Sequence, residues 1–222
     1  MKLKKLTIIA ALSVLAGTTG CTDFVEPGKD NVLTREDVIA NPVLAEGILL
    51  KAYDNLPTTL NYTEVAVDDA HSNNISNGYM LAALGAWRST SDPFSQWRNY
   101  TQIAYINYFL DRIVDDVKWS YTSEWRAEHF PNRLKGEAYA LRAYHHSLIL
   151  QAHAGRSSSG ELLGVPYMDH FISSKQEQDG LQRLPFTECV GKIEKDIGRA
   201  LQLLPDRYED APTGTPGKED YD

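Results

Sequence analysis

The stretch NRLKGEAYALRAYHHSLILQAHAG, residues 132–155, sets the architecture of the chain. Leu134, Ala138, Leu141, His145, Leu148 and Ala152 recur at steps of three and four. At 3.6 residues per turn that spacing lays them along one stripe of an α-helix. Ala and Leu dominate, so intrinsic propensity agrees with the pattern, and Glu137, Arg142 and Gln151 fall off the stripe. Pro131 suits the residue just before or inside the first turn, and Gly155 suits a left-handed residue ending the helix. A helix of this length needs packing partners along its whole extent.

The flanking sequence supplies them. Thr34-Arg-Glu-Asp37 has the form of a capping box, and Asn41-Pro42 that of an N-cap followed by a first helical residue, opening a helix to about Leu56. Ile103, Ile106, Leu110, Ile113 and Val117 mark another helix from about Gln96. Val190, Ile193, Ile197, Ala200 and Leu204 mark the last, from about Thr187 to the stop at Pro205. The expected fold is mostly α, with tetratricopeptide-like helical hairpins and long decorating loops. Residues 57–97 and 156–186 are the two long loops.

The first residues carry an address. Lys2, Lys4 and Lys5 precede an apolar run of 11 residues, Leu6 to Ala16, too short to span a bilayer. Small residues lead to Cys21, as in a lipobox, with Thr18 standing where an aliphatic residue is usual. Residues 1–20 read as a cleaved signal, Cys21 as the lipidation site and 21–33 as a lipidated tether. The folded domain is expected over 34–206, followed by a polar tail over 207–222.

Loss of residues 1–20 leaves 19 Lys and Arg against 30 Asp and Glu, a mature charge of about −11. That balance repels phosphate backbones and argues against nucleic acid as a partner. With Cys21 acylated, only Cys189 remains and no intramolecular disulfide can form; Cys189 is expected as a small packed residue.

Residues 57–97 mix Asn, Ser, Thr and Gly with large aromatics, which marks a functional excursion from the helical body. Sugar rings present apolar C–H faces bounded by hydroxyls. Aromatic plates cover such faces, and Asn, Asp and Arg match the rim. The candidate ligand contacts are therefore Trp87, Tyr79, Asn73, Asn74, Arg88 and Asp68, whereas Phe94 and Trp97 are expected to pack as core against the neighbouring helix. Asp68-Asp69 is no catalytic pair, since glycoside hydrolysis needs carboxylates from separate elements flanking the bond. His145 on the apolar stripe reads as a hydrogen-bonded core residue. His146, His153, His129 and Asp169-His170 form no metal motif, so neither a cofactor nor a metal is expected.

Three segments together carry a family resemblance: YINYFLDRI (105–113), EAYALRAYHHSLILQAHAG with LGVPYM (137–155 and 163–168), and RLPFTECVGKIEKDIGRALQLLP (183–205). In that order, behind a lipobox, they resemble the SusD/RagB family of outer-membrane nutrient-binding lipoproteins. Glu137, Ala138, Leu141, Arg142 and Ala143 stand in the family's central helix, and Gly164, Val165 and Pro166 in its Gly-Val-Pro turn. Arg183, Ala200, Leu203, Leu204 and Pro205 match its closing helix. The resemblance covers about 21–206 and implies a non-enzymatic lipoprotein, anchored in the outer membrane and facing outward. Such a protein binds glycans and passes them to a SusC-like TonB-dependent transporter. Members of the family are longer, so the chain reads as an apparently truncated N-terminal portion. The competing expectation is a helical-repeat scaffold lipoprotein that binds protein or peptide partners.

Overall fold

The computed structural model describes residues 33–56, 62–74, 76–86, 88, 90, 92–119 and 124–205. Residues 1–20, expected as a signal, Cys21, Trp87 and residues 207–222 lie outside the described residues. Seven α-helices are described: α1 (Arg35–Ala40), α2 (Pro42–Leu50), α3 (Gly78–Ala83), α4 (Asn99–Arg112), α5 (Glu124–His153), α6 (Lys175–Asp179) and α7 (Phe186–Leu203). A two-stranded antiparallel ribbon, β1 (Gly155–Arg156) with β2 (Leu162–Leu163), follows α5. Among the described residues no helix is long and apolar enough to cross a membrane.

The quoted stretch is the spine. Helix α5 packs against α4 on one side and α7 on the other, and α2 packs on α4. Asn41 caps α2 as its sequence indicates, with Oδ1 accepting from the Val43 N–H at 3.0 Å and Pro42 at the first helical position. A 3₁₀ turn, Lys51–Asn55, completes the segment.

Two features of α5 differ from expectation. Its helical path begins at Glu124 and carries Pro131 inside it. An internal proline removes one helical hydrogen bond, and packing helps to hold the turn before it: Phe130 meets Trp119 edge-on at 5.6 Å and joins the core. At the other end Gly155 is not left-handed; it enters β1. The carbonyls there are met by Arg183, whose guanidinium donates to Gly164 O at 2.7 Å, Leu163 O at 3.1 Å and His153 O at 3.3 Å. One arginine thus ties the helix end, the ribbon and the approach to α7 together.

The core is divided in two along α5. Leu134, Ala138 and Leu141 join Leu49, Ile106 and Phe109 in the larger cluster. Ile149 and Leu150 join Ile103, Val165 and Cys189 in the smaller. Cys189 is fully buried, and a Cβ on Gly164 would lie 2.4 Å from its Sγ, so only glycine fits that crossing. On α7 the buried positions are Cys189, Asp196 and Ala200, while Ile197, expected on the buried face, is 45% exposed. The apolar sector of α7 is wider than the surface α5 covers.

Between the two clusters lies a polar belt. Arg142, assigned to the outer face by periodicity, is 1% exposed. Its Nε and Nη2 donate to the two oxygens of Asp196, each at 2.7 Å. Its Nη1 donates to Asn107 Oδ1 at 2.8 Å and to the Asp169 carbonyl at 2.9 Å. Tyr167 adds its hydroxyl to Asp196 Oδ2 at 2.9 Å. His145 is hydrogen-bonded core, as expected, with Nε2 2.8 Å from the Ala52 carbonyl and Nδ1 2.8 Å from Asn99 Oδ1. His146 donates from Nδ1 to Arg142 O, accepts the Met168 N–H at Nε2, and stacks on Tyr167 at 3.8 Å.

Burial sets the charge of these histidines. Desolvation pushes His146 down to about 3 and also lowers His145. Below the ordinary histidine value of about 6.5 the unfolded chain binds protons that the folded chain refuses, so stability falls as pH falls. We predict that urea unfolding loses up to about 1.4 kcal/mol per pH unit between pH 6.5 and 5 from His146, with His145 acting in the same direction, above most carboxylate titrations. A flat stability profile over that interval would show that these rings charge freely in the fold.

Candidate functional site

The excursion between α2 and α4 is more ordered than its composition indicates. It holds a 3₁₀ turn, Tyr62–Ala66, and the short helix α3. Its asparagines and aspartates fix the backbone. Asn77 Oδ1 accepts from the N–H groups of Tyr79 and Met80 and caps α3. Asn74 Oδ1 accepts from Ser76 N, and Asp92 Oδ1 from Phe94 N, each closing a local turn. Gln96 N donates to His153 Nε2 at 2.9 Å, which fastens the end of the excursion to the last turn of α5.

The result is a cavity of about 390 Å³ between the excursion and α5. Tyr79 and Phe94 stand in its wall, ring edge to ring face at 5.3 Å, with Thr63, Asp92 and Gln96 beside them. Leu148, Gln151 and Ala152 of α5 close the other side. The predicted stripe of α5 therefore changes task along its length: its first four positions are core, and its last two face the cavity.

The expected contacts divide accordingly. Tyr79 lines the cavity. Asp68, Asn73, Asn74 and Arg88 are exposed at the surface and do not line it, and Trp87 is outside the described residues.

Trp97 corrects the expectation of a core role. It is 49% exposed, with its indole stacked on His153 at 3.8 Å and nearly parallel to Tyr100 at 6.1 Å. His153 is held below its ordinary pKa by burial, which suits a neutral ring that accepts from Gln96 and supports Trp97. Phe94 is half-buried and lines the cavity.

Sequence reasoning missed Asp92, Gln96 and Gln151. Only Asp92 carried a local signal, the Asp-Pro turn start; Gln151, assigned off the apolar stripe, is exposed and lines the cavity beside the stripe residues Leu148 and Ala152.

This arrangement pairs a half-exposed indole and two lining rings with neutral amides and one carboxylate. Aromatic faces suit flat apolar surfaces, and the amides offer both donors and acceptors. Among the described residues no group of three or more His, Cys, Asp or Glu side chains is placed to hold a metal.

A family model described as SusD-like, starch-binding associating with outer membrane, matches residues 23–219. No curated protein matches the chain.

Proposed function

The chain belongs to the SusD-like family of starch-binding proteins that associate with the outer membrane, and on that premise we propose that the cavity between the excursion and α5 grips a neutral glucan chain. The observation that carries this reading is the half-exposed Trp97 held flat on His153, beside a cavity walled by Tyr79, Phe94, Gln96 and Gln151. Trp97 serves as a platform for one sugar face. Tyr79 covers another, and the amides with Asp92 meet the hydroxyls. Asp68, Asn73, Asn74 and Arg88, exposed on the same excursion, and Trp87, which lies outside the described residues, are proposed as further sugar contacts.

Cys21 carries the lipid that holds the protein on the outer membrane, facing outward, and the bound glycan passes to a SusC-like TonB-dependent transporter. The role is binding and delivery, with no chemical step. An acidic surface suits neutral glycans better than anionic polymers.

Two measurements test this reading. Replacing Tyr79 and Trp97 together by Ala should weaken maltohexaose binding in calorimetry by about 5- to 150-fold, at about 0.5–1.5 kcal/mol per lost platform, with unchanged helical circular dichroism. Unaltered affinity would move the glycan off this cavity. Cys21→Ser should release the protein from the membrane fraction; retention at the wild-type level would remove the anchor from Cys21.

A further inference from the structure

A second concavity, of about 470 Å³ and sharing no lining residue with the first, lies between α4 and the segment from Pro166 to Leu181. Its chemistry differs from that of the first. Tyr100, Ala104, Pro166 and Met168 give it an apolar floor and walls. The Tyr100 hydroxyl is already committed, donating to the Pro166 carbonyl at 2.6 Å. The remaining side-chain polarity is the Thr101 hydroxyl and the Gln178 amide, both on exposed residues. Among the described residues no charged side chain lines it.

The wall is fixed by the buried belt. Met168 N donates to His146, Asn107 Nδ2 donates to the carbonyls of Met168 and His170 at 2.9 Å, and Arg142 holds the carbonyl of Asp169. Phe171 N is tied to Asp111 Oδ2 at 2.7 Å. Residues 166–171 are thus pinned one after another from α4 and α5, so the concavity exists without a ligand to shape it. A preformed site loses little to ordering when it binds.

The geometry points to a binding site for a small, neutral aromatic ring bearing one hydroxyl or ester, a phenolic group. A sugar would leave most of its hydroxyls unpaired against this lining, whereas a ring meets the thioether of Met168, the Tyr100 face and Pro166. Its one polar substituent reaches Thr101 or Gln178. The volume lies within the range of small-ligand sites, about 300–1,000 Å³. The site is separate from the glycan cavity and stands whether or not that cavity binds glucan.

The test compares p-cresol with its saturated counterpart 4-methylcyclohexanol by chemical-shift titration of the intact protein. p-Cresol should bind with a Kd on the order of 1 mM, as about eight heavy atoms allow, and shift backbone signals of 100–104 and 166–181. The saturated ring should bind several-fold more weakly, and saturating maltohexaose should not displace p-cresol. Ala104→Phe, which fills the floor, should weaken p-cresol about tenfold or more. Shifts confined to other segments, equal affinity for the two rings, or displacement by maltohexaose would each overturn the assignment; the wild-type shift map decides even where the Phe variant does not fold.

Discussion

The pair Arg142–Asp196 is the constraint on which the other features of this fold rest. A guanidinium and a carboxylate almost wholly removed from water meet in a two-point contact at 2.7 Å, across 54 residues of sequence. Two charges are costly to bury, and attraction repays that cost only when nearly every remaining donor and acceptor is also satisfied. Here Asn107, the Asp169 carbonyl and Tyr167 supply the missing partners. The geometry therefore demands α4, α5, α7 and the 165–170 loop in one arrangement. Sliding α7 by one residue along α5 would strand both charges, a penalty that apolar packing alone does not impose.

Function follows from where this belt sits. It divides the core into two apolar clusters and leaves the last two turns of α5 free to face outward. There His153 accepts from Gln96 N at the end of the aromatic excursion and stacks on Trp97, so the cavity proposed to hold glycan is fastened to a helix instead of to a loose loop. The same belt pins the Pro166–Phe171 wall of the apolar concavity. A glycan-binding protein of the outer membrane thus presents two unlike surfaces, one amide-rich and one apolar, from a single helical spine.

What the sequence made legible was whatever depends on near neighbours. The four-and-three spacing of Leu134, Ala138, Leu141 and His145 correctly marks a buried stripe, and Asn41-Pro42 correctly marks a helix start. The mostly helical class follows from such patterns. Arg142 and His146 were beyond reach, because a charged or polar letter counts as surface until its distant partner is known. Trp97 failed for the converse reason: proximity to a helix suggests core, yet His153 from another element turns the indole toward solvent. Pro131 looked like a boundary because local sterics say so, while packing of Phe130 on Trp119 supports the turn before it. Of the site, only Tyr79 was found in the cavity wall from composition alone, and Gln151 shows that a position on the outer face of a helix can still line a cavity.

The dependence of the fold on the buried pair is measured most directly by a double-mutant cycle in urea with Arg142→Met, Asp196→Leu and the two combined. The account predicts a loss of about 3–5 kcal/mol for Asp196→Leu, which strands the buried guanidinium, and a smaller loss for Arg142→Met, because Arg199 Nη1 still faces Asp196 Oδ1 at 3.5 Å. It predicts a combined loss smaller than the sum by at least about 2 kcal/mol, since the double variant leaves no charge behind. Losses that simply add, or single variants as stable as the parent, would contradict it.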